Sequence, residues 1–372
     1  MKIILLVLIS LLSQLYCQID TTKTNKINFI AEEFCSGFDI PWGMTFLPDS
    51  SLLVSDKIGK IWKIENNGLI KKEIRNAPKV LVKGQGGLLD IEVHPDFIKN
   101  NFVYISFTNY LEKNPRKTFT SIIRAKLEND ELKNHKIIFR AESKFYSKKT
   151  HHYGSRIIFD NEHYIYFSIG DRGDRDQAQD LRYPNGKIHR LEDDGKIPID
   201  NPFVNMPNAI PSIWTFGNRN PQGLSKHPMS NQIWSSEHGP KGGDELNIIK
   251  KGKNYGWPII TYGKNYSGTS ISKLTHKKGM EQPIYHWTPS IALCGIKHVE
   301  NSLFKKWGND ILVSSLKYEQ VHKIRIKNNK VIDEEIIYDA GSRVRDIEIG
   351  PAGYIYIALE NPGRIIKLRP ID

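Results

Sequence analysis

The chain has 372 residues, with 53 lysines and arginines against 41 aspartates and glutamates, which gives a formal net charge of +12. Hydrophobic residues make up 39% and charged residues 25%, the composition of a soluble globular protein, which excludes a disordered or membrane-embedded chain. Three cysteines, none paired at zinc-site spacing, exclude a disulfide-framework protein.

The amino terminus has the pattern of a secretory signal peptide. Residues 1–17 contain one basic residue and then an almost unbroken apolar run, which is too short to span a bilayer and is followed by a polar segment. We therefore predict export, to the periplasm, with cleavage near Cys17 and Gln18. A lipid anchor at Cys17 is the less favoured alternative, because the bulky Tyr16 precedes it. Residues 18–35 are then an amino-terminal lead-in.

The two cysteines beyond the signal peptide leave two alternatives. In an oxidising compartment Cys35 and Cys294 could form a disulfide. They are far apart in the sequence, and no pattern indicates that they meet. We favour two buried free thiols.

One unit recurs six times over residues 36–372. It consists of a short apolar run, a Pro or Gly turn, and further runs rich in β-branched and aromatic residues, which is typical of strands. About 55 residues per unit fits four-stranded propeller blades with their loops. We predict an all-β fold, a single six-bladed β-propeller with four-stranded antiparallel blades around a central channel; a pair of β-sandwiches or a β-meander is the alternative. The units start near Pro41, Gly87, Ser155, Asn220, Ser290 and Arg343.

Polar and cationic side chains recur in five of the six units. Because inner strand ends converge on the channel of a propeller, we expect functional residues to follow the first or second apolar run of each unit. Cations gathered around one axis repel one another unless an anion lies among them, and guanidinium groups suit a planar ligand with several carboxylates. A histidine beside such a ligand could accept a proton. Taken singly, each residue is more simply explained as a surface or loop residue. The candidates are Gln85, His151, His152, Arg156, Arg219, Asn220, Gln222, Lys317, Arg343 and Arg345.

A loop segment, EHGPKGGDELNIIKKGKNYGWP, has oxygen donors suited to calcium. Its turn-forming residues leave the carbonyl groups of Gly239 and Pro240 free, and Glu245 and Tyr255 follow shortly after. Calcium prefers carboxylate and carbonyl oxygens, whereas zinc would require a His/Cys cluster. As a bare pattern it leaves ordinary loop structure open. The acidic run at 171–180 lacks EF-hand spacing, and we interpret it as a solvated loop.

Together these segments resemble the soluble quinoprotein sugar dehydrogenases, the pyrroloquinoline quinone (PQQ)-dependent glucose and aldose sugar dehydrogenases. The similar blocks span about residues 36–370 in family order, and they look closer to the periplasmic aldose sugar dehydrogenase branch. The blocks are GQGGLLDIEVHPDF, HHYGSRIIFD, GNRNPQGLS, EHGPKGGDELNIIKKGKNYGWP, SLK and RVRDI.

The resemblance implies a quinoprotein oxidoreductase that oxidises the anomeric hydroxyl of aldose sugars to lactones by hydride transfer to PQQ, with calcium as a Lewis acid. His152 matches the family's general base, and Arg219 could stabilise developing negative charge. The implied partners are an aldose substrate and an electron acceptor that the sequence does not identify. Matches to cofactor contacts are Gln85, Arg219, Asn220, Tyr266, Lys317, Arg343 and Arg345, and matches to calcium ligands are Gly239, Pro240, Glu245 and Tyr255.

Two positions depart from the family pattern. Leu293 and Cys294 stand where the family has Pro-Ser, which weakens an assignment of Ser290 to the cofactor. His151 precedes the general base where the family has an acidic or amide residue, and an acidic neighbour would favour the imidazolium form. How His152 is oriented is therefore open.

Other functions fit the sequence less well. A calcium-dependent lactonase or a non-catalytic carbohydrate-binding propeller is the alternative, but a lactonase has no use for four cations around a tricarboxylate. Nucleic-acid binding is disfavoured, because the lysine pairs are scattered and not clustered with aromatic residues. The basic charge fits peripheral association with an anionic cell envelope instead.

Overall fold

The six units of the sequence form six antiparallel sheets. The computed structural model describes residues 20–23 and 27–371, and its sheets are arranged as the blades of a propeller around a central channel. This confirms the predicted fold class. The predicted signal peptide, residues 1–17, lies outside the described residues. Helical segments are short: α1 (Phe97–Asn100) and the 3-10 turns Asn66–Gly68, Ser143–Phe145, Arg175–Gln179 and Lys305–Trp307.

The first five blades each use four strands that are consecutive in the chain. The chain enters through β1 (Asp20–Lys23) and β2 (Asn28–Phe38). Blade 1 contains β3 (Pro41–Phe46), β4 (Leu52–Asp56), β5 (Lys60–Glu65) and β6 (Ile70–Glu73). Blade 2 contains β7 (Leu88–Val93), β8 (Phe102–Leu111), β9 (Asn114–Glu128) and β10 (Glu131–Phe139). Blade 3 contains β11 (Ile157–Phe159), β12 (Ile165–Ile169), β13 (Lys187–Leu191) and β14 (Ile213–Phe216). Blade 4 contains β15 (Pro221–Lys226), β16 (Ile233–Glu237), β17 (Asp244–Ile249) and β18 (Tyr285–Trp287). Blade 5 contains β19 (Leu293–His298), β20 (Ile311–Ser315), β21 (Gln320–Lys327) and β22 (Lys330–Asp339).

The sixth blade closes the ring by pairing the two ends of the described chain. It contains β23 (Val344–Ile349), β24 (Ile355–Leu359) and β25 (Gly363–Ile371), followed by β2 and β1. Strand β2 pairs antiparallel with β25, from Asn28 opposite Ile371 to Phe38 opposite Gly363. It begins inside the segment that we expected to be a lead-in. The pairing covers the edge of β25 that would otherwise be open.

The innermost strand of each blade begins within three residues of the unit starts predicted from the sequence. These strands, β3, β7, β11, β15, β19 and β23, contact their neighbours around the ring and surround the channel. Because adjacent strands are antiparallel, the start of each inner strand and the end of the second strand lie at the same end of the channel. Side chains at these two positions can therefore converge.

A buried arginine links the inner strands across the channel. Arg156, just before β11, places Nη1 2.9 Å from an oxygen of Asp90 on β7 and 3.0 Å from one of Asp346 on β23. Its Nε donates to the Gln222 carbonyl on β15 at 3.1 Å. The sequence grouped Arg156 with the candidate site residues, but its guanidinium forms ion pairs with Asp90 and Asp346 inside the channel.

Two smaller predictions concern the thiols and the absence of spanning helices. Cys35 and Cys294 are both buried free thiols, which confirms the interpretation that we favoured. Within the described ranges, no helix has the length and apolar composition that crossing a bilayer requires.

The closing strand is anchored by an aromatic cluster between blades 5 and 6. Phe29 of β2 is fully buried, and its ring centroid lies 5.9 Å from that of Phe304, 6.2 Å from Trp307 and 6.5 Å from Tyr338, all edge-on. Such contacts add to the free energy gained by burying the ring itself. Phe29 therefore stabilises the closure more than any exposed residue of the same blade can.

Replacing Phe29 with alanine should destabilise the protein by about 3–5 kcal/mol, the usual cost of removing a buried phenylalanine. Urea unfolding followed by tryptophan fluorescence measures this. The control is Leu69→Ala, because Leu69 is 80% exposed; it should change the free energy of unfolding by less than about 0.5 kcal/mol. Equal effects of the two substitutions would contradict the anchoring role of Phe29.

Candidate active site

Two adjoining cavities open at the end of the channel where the inner strands begin. The histidine cavity, of about 430 Å³, is lined by Gln85, His151, His152, Asp171, Gly173, Arg175, Arg219, Pro240, Trp257, Asn265, Tyr266 and Ile271. The arginine cavity, of about 230 Å³, is lined by Ile40, Trp42, Lys57, Gly84, Gln85, Gln222, His238, Leu316, Arg343, Arg345 and Glu360. Gln85 lines both, so the two cavities are neighbours, and we refer to them together as the cleft.

In the histidine cavity, His152 is held by groups from three blades. Its backbone N–H donates to Oε1 of Gln85 at 2.7 Å, and its Nδ1 lies 2.7 Å from Oδ1 of Asp171. Asp171 follows β12 and is itself fixed by the indole N–H of Trp257, which donates to Oδ2 at 2.8 Å. Gly170 allows the backbone of His152 to lie against the backbone that leads to Asp171. A Cβ at position 170 would lie 2.7 Å from Asn220 Oδ1 and closer still to the His152 carbonyl.

The electrostatics of this pair keep the imidazole neutral. Burial lowers the pKa of His152 to about 4, and the charge of Arg219 acts in the same direction, against the hydrogen bond that His152 donates to Asp171. Burial is the largest influence on Asp171 and would raise its pKa, but the hydrogen bond from His152, the charge of Arg219 and the N–H of Gly173 together hold that pKa below its usual value. An ionised carboxylate can only accept, so Nδ1 carries the proton and Nε2 keeps a free lone pair. Nε2 of His152 is therefore free to accept a hydrogen bond or a proton.

Arg219 lies beside this pair without a carboxylate partner among the described residues. Its Nη1 donates to the carbonyl groups of His238 and Gly239, both at 2.8 Å, and its guanidinium lies 5.4 Å from the Trp257 ring centroid. The backbone carbonyl of Arg219 accepts from the N–H of Asp171 at 2.7 Å. The positive charge is thus fixed at the wall of the histidine cavity.

The arginine cavity contains more positive than negative charge. Glu360 pairs with both predicted arginines, at 2.9 Å from Nε of Arg343 and 2.6 Å from Nε of Arg345. Lys57 lies on the same wall, and burial followed by the Arg345 charge lowers its pKa. The three cations stand against one carboxylate, an excess of two positive charges. We expected an anion among these cations, and Glu360 supplies one of the negative charges.

His238 joins the two halves of the cleft. Its Nε2 donates to Oε1 of Gln222 at 3.0 Å, and the same oxygen accepts from Nη1 of Arg345 at 3.2 Å. Burial, then the charges of Arg219 and Arg345, lower its pKa well below the usual value, so the ring is neutral. Arg219, Arg343 and Arg345 are therefore held around one cleft and are not scattered to opposite rims.

All four predicted metal residues line a third, much smaller cavity of about 10 Å³. That volume is about enough for one water-sized species. Two carboxylates share this wall, the buried Glu237 and the half-buried Glu245; loss of solvent raises the pKa of both, and the charge of Glu237 raises that of Glu245 further. A cation would relieve this repulsion, and the donor set of oxygens suits a hard divalent ion. The described residues contain no cluster of three or more His, Cys, Asp or Glu side chains arranged for a metal, so carbonyl and water oxygens would complete the site.

Three predicted residues occupy different surroundings. Asn220 is buried, and its Oδ1 accepts from the Gly154 N–H at 3.1 Å, so it orders the backbone next to His152. Tyr266 is 75% exposed at the mouth of the histidine cavity. Lys317 is exposed and lines neither cavity; its Nζ contacts the Ser290 carbonyl at 3.3 Å.

The sequence prediction missed the residues that follow the second strand of each blade. These are Lys57, Asp171, His238 and Glu360, after β4, β12, β16 and β24. The acidic run at 171–180 is not simply a solvated loop, because Asp171, Arg172 and Ala178 are buried. Residues that follow the first strand lie at the other end of the channel, where Glu92, Lys297 and Glu348 line a separate cavity of about 260 Å³. Of the two positions that the expectation named, after the first or the second apolar run, the residues of the cleft follow the second.

Comparison with known proteins gives consistent matches over nearly the whole chain. The family model for glucose/sorbosone dehydrogenases matches residues 38–367. The chain is 35% identical over 337 residues to the aldose sugar dehydrogenase YliI of Escherichia coli K12, covering 89% of this chain and 90% of that protein.

Two solved structures share the fold and a substantial part of the sequence. The apo form of the soluble aldose sugar dehydrogenase from Escherichia coli superposes with a TM-score of 0.87 at 34% identity, covering 92% of this chain and 99% of that one. The PQQ-bound form of the aldose sugar dehydrogenase from Streptomyces coelicolor superposes with a TM-score of 0.75 at 27% identity, covering 91% of this chain and 96% of that one.

The geometry of His152 predicts its titration. In protein labelled with ¹⁵N-histidine, the His152 ring should titrate with a midpoint near pH 4 and stay neutral, with the proton on Nδ1, above about pH 5. Replacing Asp171 with asparagine should lower the midpoint further and mix the two tautomers, because an amide can donate or accept. His152→Gln assigns the signal. A midpoint near 6.5, or a proton on Nε2 at pH 7, would contradict the arrangement.

Proposed function

The chain belongs to the glucose/sorbosone dehydrogenase family, as its sequence blocks predicted, and on this premise we propose that it is a PQQ-dependent aldose sugar dehydrogenase. The observation that carries the proposal is a neutral histidine, oriented by Asp171, in the histidine cavity. This cavity lies beside the arginine cavity, which has the excess of positive charge. The reaction is oxidation of the anomeric hydroxyl of an aldose to a lactone.

The cleft fits the cofactor. PQQ is a flat molecule with three carboxylates, and an excess of two positive charges beside Gln85 would hold such an anion. Lys57, Arg343 and Arg345 are the side chains that would bind it, and Lys317 would contribute only by turning away from Ser290. The PQQ-bound relative supports this choice of cofactor. When bound, PQQ supplies the quinone that accepts a hydride from the sugar.

The small cavity fits calcium as the second cofactor. The carbonyl oxygens of Gly239 and Pro240 and the carboxylate of Glu245 would hold it, with Tyr255 on the same wall. The hydroxyl of Tyr255 already donates to the Ile248 carbonyl at 2.6 Å and accepts from the Lys250 N–H at 2.9 Å, so one lone pair of its oxygen is available. Calcium would supply Lewis acidity and would compensate the carboxylates on this wall.

The residues of the chain supply the proton transfer and its electrostatics. Nε2 of His152 accepts the proton of the anomeric hydroxyl while the anomeric C–H bond gives up its electron pair, and the C–O bond becomes a carbonyl group. The imidazolium that forms is stabilised by the ionised Asp171 carboxylate. Arg219, whose charge is fixed by two carbonyl groups, stabilises negative charge that develops on an oxygen in the histidine cavity.

Two parts of the proposal come from the sequence. The apolar run in residues 1–17 supports export to the periplasm, and the net charge of +12 supports loose association with an anionic envelope surface. The electrons of the sugar must pass to an acceptor, which the proposal leaves unidentified.

Reconstitution tests the function directly. Purified protein supplied with PQQ and calcium should reduce a redox dye with aldoses. His152→Ala should lower kcat about 10²–10⁴-fold, the usual contribution of a general base, and should leave PQQ binding largely intact. The control is His163→Ala, in the turn between β11 and β12 at the far end of the blade. No PQQ binding and no dye reduction with any aldose or alcohol would favour a lactonase or a binding protein, and full turnover in His152→Ala would remove this residue from the mechanism.

Calcium binding should be visible as stabilisation. A ligand present at a hundred times its Kd stabilises the folded state by about 2.7 kcal/mol, so calcium should raise the Tm of the wild type. Glu245→Gln should abolish most of this rise, whereas Glu142→Gln, at an exposed carboxylate, should preserve it. Differential scanning fluorimetry with calcium and magnesium measures both variants. An undiminished calcium response in Glu245→Gln would exclude Glu245 as a ligand.

A further inference from the structure

The outer wall of the histidine cavity contains a cation that none of the roles above uses. Arg175 begins the 3-10 turn after Asp171 and lines the cavity together with His152. Its Nη2 donates to Oδ1 of Asn265 at 3.3 Å, and its guanidinium lies 5.8 Å from the ring centroid of Trp257. Both partners also line the cavity, so the guanidinium is held at the edge of the space where a substrate of His152 must bind.

Nearby acidic groups leave this guanidinium uncompensated. Asp174 pairs with Lys149 at 2.6 Å, and Asp171 is engaged by His152 and Trp257. Asp176 is exposed and does not line the cavity. Across residues 20–23 and 27–371, no carboxylate lies within ion-pair distance of Arg175, so its charge acts on whatever occupies the cavity.

Two exposed lysines stand next in the chain to lining residues of the cavity. Lys241 and Lys264 pair through their backbones, and they are exposed neighbours of the lining residues Pro240 and Asn265. Neither has a carboxylate partner in the part of the chain that is described. Cations gathered around one opening raise the local concentration of anions there.

We propose that the substrates are aldoses that carry an anionic group, a carboxylate or a phosphate, away from the anomeric carbon, and that Arg175 is the residue that selects them. The inference rests on the proposed function. A sugar with its anomeric hydroxyl at Nε2 of His152 directs its other substituents toward the remaining walls of the same cavity. A guanidinium binds carboxylate and phosphate through paired hydrogen bonds, which a neutral hydroxymethyl group cannot match.

Steady-state kinetics of the reconstituted enzyme test the selection. The substrates are glucose, glucuronate and glucose 6-phosphate, and the quantity is the ratio of kcat/KM for each anionic sugar to that for glucose. Because Arg175 is exposed, we expect a ratio of only about five to ten for at least one anionic sugar, falling at high salt. Arg175→Gln should bring the ratio to about one, and Arg175→Lys should leave an intermediate value. Which of the two sugars has the larger ratio identifies the favoured group.

The matched control is Lys330→Gln, on the outer strand β22, which removes one charge far from the cavity and should leave the ratio unchanged. A ratio that Arg175→Gln leaves within twofold of wild type overturns the proposal, as does a wild-type enzyme with no preference for either anionic sugar. If no aldose is oxidised at all, the proposed function fails and the selection falls with it. Oxidation of glucose without selection rejects this inference alone.

Binding gives a readout that does not depend on turnover. Methyl β-D-glucuronide and methyl β-D-glucopyranoside both lack a free anomeric hydroxyl, so neither can be oxidised to a lactone. Saturation-transfer NMR on the PQQ-loaded protein should show tighter binding of the glucuronide, and Arg175→Gln should abolish the difference. PQQ affinity, followed by tryptophan fluorescence, should be the same in the variant; a loss would assign the guanidinium to the cofactor and overturn the proposal.

Discussion

Most of the ring depends on one buried guanidinium. Arg156 contacts carboxylates from blades 2 and 6 and a carbonyl group from blade 4, while its own backbone belongs to blade 3. A charge withdrawn from water costs several kcal/mol unless its partners are all in position. Asp90 and Asp346 also accept the backbone N–H groups of Ile157 and Met44, which extends the network to blade 1. Five of the six inner strands are thus held in register by one connected set of polar contacts.

This network also fixes the cleft, because the site residues lie close to it along the same strands. His152 precedes Arg156 by four residues, and Arg345 is the neighbour of Asp346. A one-residue slip of an inner strand would turn its side chains to the other face and would break both the ion cluster and the cleft. The chemistry needs a histidine, a set of cations and a group of oxygens within a few ångströms of one another. Their relative positions follow from pairings formed deeper in the channel.

The sequence predicted the fold and half of the cleft for a physical reason. Strand starts are encoded locally, by turn residues and short apolar runs, and side chains next to those starts, such as Gln85 and Arg343, could be found. Asp171 could not, because its burial depends on Trp257, which is 86 residues away in the chain. Glu360 was missed for a related reason, since only the antiparallel pairing of β23 with β24 brings it to Arg343 and Arg345. A search that also lists the two residues after each second strand would have found both.

The seam between β2 and β25 affects the order in which the molecule can assemble. Its two halves are separated by more than three hundred residues, so closing the ring carries the entropy cost of a very long loop and must await synthesis of residues 363–371. Until then the edge of β2 that pairs with β25 is unpaired. The blades made first can form their hairpins during translation, whereas the seam and the Phe29 cluster form last. If β25 paired instead with β2 of another copy, the two chains would form a dimer that exchanges this strand. Correct folding therefore requires that β25 finds β2 of its own chain first.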